Sequence, residues 1–151
     1  MIDQFLKPHS NFFRLLADWK KYGNITVGYD FDQTVSPFHE GEATFDQVIE
    51  LLRELKDIGC TCVCWTANKD HTYVAEYVTK KNIPCDGINI DVIDLGWTTR
   101  KPFYSALLDD RAGLESMYKD LVLLVWYVKE HHLYPKDSNY GKSVPAPSAN
   151  L

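Results

Sequence analysis

The chain has no run of roughly 18 apolar residues, the length a membrane-spanning helix needs. It also has no signal-peptide pattern at its start, where Asp3 and Lys7 frame only a short apolar patch. A basic excess is missing too. With 16 Lys and Arg against 21 Asp and Glu, the formal charge of -5 argues against non-specific binding to a nucleic-acid backbone, which needs a basic footprint. No internal repeat is visible, and none of the four cysteines forms a Cys-x-x-Cys pair. What these absences leave is a soluble, cytoplasmic globular chain. Its 151 residues suffice for one domain with a real core and are too few to divide comfortably into two. A small anionic substrate stays compatible with the acidic balance, because a bound metal, Lys101 or Arg111 can attract a phosphate locally.

Cys60, Cys62 and Cys64 alternate along one apolar stretch and so share one face of a strand. Thiols at i and i+2 on a strand are poorly placed to bridge each other. Without paired spacing or a nearby histidine set they read as small buried residues rather than zinc ligands, and Cys85, after a proline, adds no ligand pattern.

Hydrophobic periodicity predicts an opening helix over residues 10–22, carried by Phe12, Phe13, Leu15, Leu16 and Trp19, with Ser10 or Asn11 as its cap. Residues 25–29 read as a strand that runs straight into acidic residues. A second helix spans 44–58 through Phe45, Val48, Ile49, Leu52 and Leu55, with Gly59 as its stop. An apolar strand follows at 60–65, a helix at 70–81, a short strand around 87–90 and another at 104–108. From Leu114 to Val128 apolar residues recur at helical spacing and predict a long final helix. This alternation predicts an α/β layered domain over 1–134 with a mostly parallel sheet. Residues 135–151, rich in Pro, Ser, Asn and Gly, read as a disordered tail.

In open parallel sheets, functional groups gather at the carboxyl ends of strands. Asp30 with Asp32, then Thr66, then Lys101, then Asp109 with Asp110 stand at such ends or in the following loops. Two carboxylates at i and i+2 point the same way on a strand but diverge once the chain bends, one towards a metal and the other towards a leaving group. Each position has a bland alternative: a solvated loop, a strand-end cap, a surface lysine with Arg100 as a competing cation, and a polar turn. The order of the four together is what carries the functional reading.

The run from Ile25 to Val27 into Asp30-x-Asp32-x-Thr34, the strand ending at Thr66, Lys101, and the apolar residues ending in Asp109-Asp110 resemble the four ordered motifs of the haloacid dehalogenase (HAD) superfamily, over residues 25–112. The stretch from Lys101 to Ala112 is similar to small bacterial and phage hydrolases of that superfamily and to its deoxyribonucleotidase branch. The resemblance implies a three-layer, Rossmann-like domain acting as a phosphohydrolase. Asp30 would be the nucleophile that forms an aspartyl-phosphate, and Asp32 the general acid and base. Thr66, the amides of Ala67 and Asn68, and Lys101 would bind the phosphoryl group. Mg²⁺ would be held by Asp30, the backbone carbonyl of Asp32 and Asp110, with Asp109 directly or through water. The chemistry explains the pairing. A nucleophilic carboxylate must stay ionised while a general acid holds a proton, and a cation must lie between two anions that meet. Hard oxygen ligands suit Mg²⁺.

Departures from the pattern are Gln33, where glycine is common, and Ser105, where close relatives often carry another acid. The intervals between motifs leave no room for a cap domain. A capless site is open, and so it accepts a large phosphorylated substrate or is closed by an oligomer partner or the tail; small phosphorylated molecules such as nucleotides remain open as substrates. Two rivals stand beside this reading. A signalling receiver domain also combines aspartates, Thr, Lys and Mg²⁺, but it would need a phosphorylated Asp on a middle strand, where only Asp91 stands. The other is a catalytically silent HAD fold used as a binding module. Carbon–halogen cleavage is disfavoured by Asp32, because a leaving alkoxide needs a proton and a halide does not. His39, His71, His131 and His132 fall outside the motifs and read as loop, first helical turn and helix end. Phe38 and His39, just past the nucleophile loop, are the outsiders best placed to touch a substrate.

Overall fold

The computed structural model of the chain describes residues 1–39, 41 and 44–135. After a short 3₁₀ turn (Gln4–Leu6), helix α1 spans Ser10–Tyr22, as its periodicity predicts, and buries Leu15, Leu16 and Trp19. Its capping differs from expectation. Ser10 is already helical, and the preceding His9 takes a left-handed backbone with no side-chain cap of its own. The acceptor comes from the far end of the chain instead: Asp120 takes the Phe12 N–H at 3.2 Å and lies 2.9 Å from His9 Nδ1. A carboxylate supplied by tertiary contact satisfies an N-terminal donor as a local cap would.

Strand β1 (Thr26–Tyr29) leads to α2 (Asp46–Asp57), β2 (Thr61–Cys64), α3 (His71–Lys80), β3 (Gly87–Ile88), β4 (Ala106–Leu108) and α4 (Leu114–Glu130). Asp70 caps α3 by accepting the Tyr73 N–H at 3.0 Å. The strands are shorter than the apolar runs that announce them, although pairing continues past their ends through Trp65 N–H to Tyr29 O at 2.8 Å and Asp30 N–H to Leu108 O at 2.9 Å. All four strands are parallel, in the order β3-β2-β1-β4. Among the described residues, α2 is the only regular element between β1 and β2, and α3 the only one between β2 and β3.

Partners in a parallel register point to the same face, so Val27, Tyr29, Cys62, Cys64, Ala106 and Leu108 share one side of the sheet. They join the buried residues of all four helices in one core. The other side is covered differently. There a Cβ on Gly28 would sit 2.9 Å from Trp65 Cδ1 and 3.3 Å from Tyr104 Cβ, and Ile90 and Val92 crowd Gly87. A parallel sheet must be covered on both faces, yet residues 89–105 contain no helix. The third layer expected from the sequence is therefore an irregular segment rather than a helical one.

All four cysteines are free, and Cys60, Cys62 and Cys64 are buried as expected. Burial pushes the Cys62 thiol up to about 12 and raises the other three as well, which keeps them neutral and unreactive. No described helix is long and apolar enough to cross a membrane. Apart from Pro135, the residues read from the sequence as a tail lie outside those described.

Candidate active site

β1 and β4 are neighbours, so their carboxyl ends bring Asp30 beside Asp109 and Asp110. One carboxylate oxygen from each lies within 4.8 Å of the others. Among the described residues no other cluster of three or more Asp, Glu, His or Cys side chains meets in this way. The loop after Asp30 is tightly built. Phe31 O accepts the N–H groups of Thr34, Val35 and Ser36, and Gln33 N–H donates to Ser36 O at 2.7 Å. Gln33 takes φ +63, a left-handed conformation that explains why glycine suits this position. Thr34 is buried, and its Oγ1 accepts the Asp110 N–H at 3.1 Å, so it staples the first acidic segment to the last.

Phe31, between the two acids, is fully buried and packs edge-on against Tyr77 at 5.3 Å and Tyr73 at 6.0 Å. Anchoring that ring inward leaves its neighbours to the cleft, and both Asp30 and Asp32 line it. The cleft has a volume of about 1120 Å³ and is also lined by Phe38, Trp65, Thr66, Ala67, Asn68, Asn89, Arg100, Asp109, Asp110 and Arg111. Burial, then the nearby Asp109, push the Asp30 carboxyl up to about 6; Asp110 and Asp32 add to the rise, and a hydrogen bond from the Phe31 backbone opposes it. Four carboxylates crowded around one opening repel each other, and a cation held among them relieves that repulsion. An all-oxygen donor set of this kind fits a hard divalent ion. One oxygen of Asp109 already accepts the Arg111 N–H at 2.8 Å, so Asp109 shares its carboxylate with a turn.

Thr66 follows β2 at the cleft wall. Its Oγ1 accepts the Asn68 N–H at 3.0 Å, so the Asn68 amide, expected to cradle a phosphate, is engaged by the threonine itself. The hydroxyl keeps its own proton to donate. Asn89, which sequence reasoning did not single out, clamps the same residue: its Oδ1 accepts the Thr66 N–H and its Nδ2 donates to Thr66 O, both at 2.7 Å. Asn89 does this from a left-handed backbone just after β3, and an asparagine directly after an apolar strand was the available signal. Lys101 is exposed and is not among the residues lining the cleft, whereas Arg100 and Pro102 on either side of it are. Ser105 lies at the other end of the sheet, where its N–H donates to Thr26 O at 2.8 Å.

Phe38 reaches the cleft, while His39 does not line it. His71 opens α3, and His131 caps α4 with its ring stacked on Tyr127 at 4.0 Å. The Asp91 carboxylate accepts the Phe103 N–H at 2.9 Å and takes no part in the cleft lining. Comparison with known protein families, with curated protein sequences and with solved structures finds no match to the chain.

Proposed function

We propose that the chain is a Mg²⁺-dependent phosphohydrolase of the HAD type, acting on phosphate monoesters through an aspartyl-phosphate on Asp30. The observation that carries this reading is the convergence of Asp30, Asp109 and Asp110 within 4.8 Å at adjacent strand ends, with Asp32 and Thr66 lining the same cleft. Asp30 attacks phosphorus, and the ester oxygen departs with the proton of Asp32. Asp32 then takes a proton from water, which attacks the phosphorus of the acyl phosphate and frees both orthophosphate and the Asp30 carboxylate. Thr66 donates its hydroxyl proton to a phosphoryl oxygen, and Asn89 holds Thr66 in place for that contact. Asp30, Asp109 and Asp110 would hold Mg²⁺, which supplies neutralising charge where the carboxylate meets the phosphate. A site without a cap domain admits either a small phosphate ester or a larger phosphorylated molecule.

The test is orthophosphate release from p-nitrophenyl phosphate and from a panel of nucleotides and sugar phosphates, with Mg²⁺ or with EDTA, for wild type and Asp30→Asn. The expected result is release that needs Mg²⁺ and disappears in the variant. Activity that survives in Asp30→Asn, or that ignores EDTA, overturns the mechanism.

A further inference from the structure

Among the charged groups at the cleft, the carboxylates and the cations do not neutralise each other. Lys69, Arg100 and Arg111 line the same opening as Asp30, Asp32, Asp109 and Asp110, yet among the described residues none of the three forms an ion pair. Opposite charges that share a cleft without touching leave room between them for a ligand negative enough to meet the arginines.

The segment bearing Arg100 is held at both ends. Thr99 Oγ1 accepts the Lys101 N–H and donates to Lys101 O, both at 3.1 Å, and Asp91 accepts the Phe103 N–H at 2.9 Å. These contacts tie down the backbone of 99–103. Arg100 and Pro102 line the cleft and Lys101, between them, does not.

We propose that Arg100, rather than Lys101, is the cation that meets the phosphoryl group. The proposal rests on the phosphohydrolase reading and moves its cationic contact by one residue. A guanidinium presents a planar fork of donors to two oxygens of one phosphoryl group, which an ammonium cannot do.

The experiment compares Arg100→Ala, Arg100→Lys and Lys101→Ala with wild type in two readouts: kcat and KM for p-nitrophenyl phosphate with Mg²⁺, and calorimetric binding of orthophosphate with Mg²⁺. Arg100→Ala is expected to lose about 100-fold in kcat/KM and to weaken orthophosphate binding, with about tenfold of that recovered in Arg100→Lys. Lys101→Ala is expected to lose at most about threefold. Arg100 is exposed, so unchanged thermal unfolding confirms that its variants fold. A larger loss in Lys101→Ala than in Arg100→Ala overturns the assignment and leaves the phosphohydrolase reading intact. A wild type that binds orthophosphate through Arg100 but hydrolyses nothing overturns the reading and keeps the anion site; no hydrolysis and no binding overturns both.

Discussion

Asp120 and Asp30 are both acids withdrawn from water, and the fold treats them in opposite ways. The Asp120 side chain is 5% exposed, more deeply buried than Asp30, and yet it is fully provided for: His9 Nδ1 stands at 2.9 Å and the Phe12 N–H at 3.2 Å. Asp30 is only partly buried but faces Asp109, Asp110 and Asp32, and its carboxyl is pushed up to about 6. One is partnered inside the protein and ties α1 to α4. The other is set among its own kind. An acid that ties two helices together arrives with its hydrogen-bond partners, whereas an acid left facing other carboxylates marks a candidate functional site.

The sharpest way to break this contrast is to neutralise each acid. Asp30→Asn should lower kcat by at least about 10³-fold, because it removes the proposed nucleophile with almost no change in volume. Asp120→Asn, outside the residues that line the cleft and still able to accept the Phe12 N–H, should leave kcat within about twofold. Steady-state kinetics on the same ester would check both. Equal losses in the two variants would mean that Asp30 acts through the fold rather than through chemistry.

The second effect falls on stability, at the other site. Asp120→Ala leaves the Phe12 N–H without its acceptor and His9 without its partner, at a cost of about 2–3 kcal/mol. Urea unfolding would measure it as a lower midpoint with unchanged slope. A loss under about 0.5 kcal/mol would show that water replaces the carboxylate and that the seam between α1 and α4 does not depend on it.

The two sites were unequally legible in the sequence. Asp30, Asp32, Thr66, Asp109 and Asp110 could be found because each ends an apolar run, and a parallel sheet turns such endings into neighbours. The helices were legible for the same reason: α1 matches its predicted bounds, and α2, α3 and α4 fall within two residues of theirs. The pairing of Asp120 with His9 was not legible, since its partners lie more than 100 positions apart and no periodicity marks them. Nor was it legible that Arg100, and not Lys101, lines the cleft. Which of two adjacent residues lines a cleft depends on the local backbone, here tied down by hydrogen bonds involving Thr99 and Asp91, and sequence spacing alone does not carry that information. The pair of hydrogen bonds between Asn89 and Thr66 belongs to the same class, because the asparagine's left-handed conformation is visible only in three dimensions.

The smallest effect sharpens the comparison most, because it reverses the sign that a mutation usually has. In the metal-free protein the Asp30 carboxyl titrates near 6, above its ordinary value of 3.8, so between those two values the folded state binds more protons than the unfolded state. Stability therefore falls as pH rises through that window, and the penalty is complete above it. Asparagine at position 30 carries no charge and escapes the penalty. A shift of this size converts to about 3 kcal/mol for a fully buried group, and solvent screening at a partly exposed one reduces it to about 1 kcal/mol. With EDTA present, Asp30→Asn should thus be more stable than wild type at pH 8 by about 1 kcal/mol, and the gap should close by about pH 4. Adding Mg²⁺ should raise the wild-type melting temperature more than that of the variant, because only the wild type offers all three carboxylates. Thermal unfolding across pH, with and without the metal, decides the matter. An Asn variant less stable than wild type at pH 8, or a gap that does not change with pH, would mean that Asp30 is held by its surroundings as Asp120 is, and the contrast between the two acids would fail.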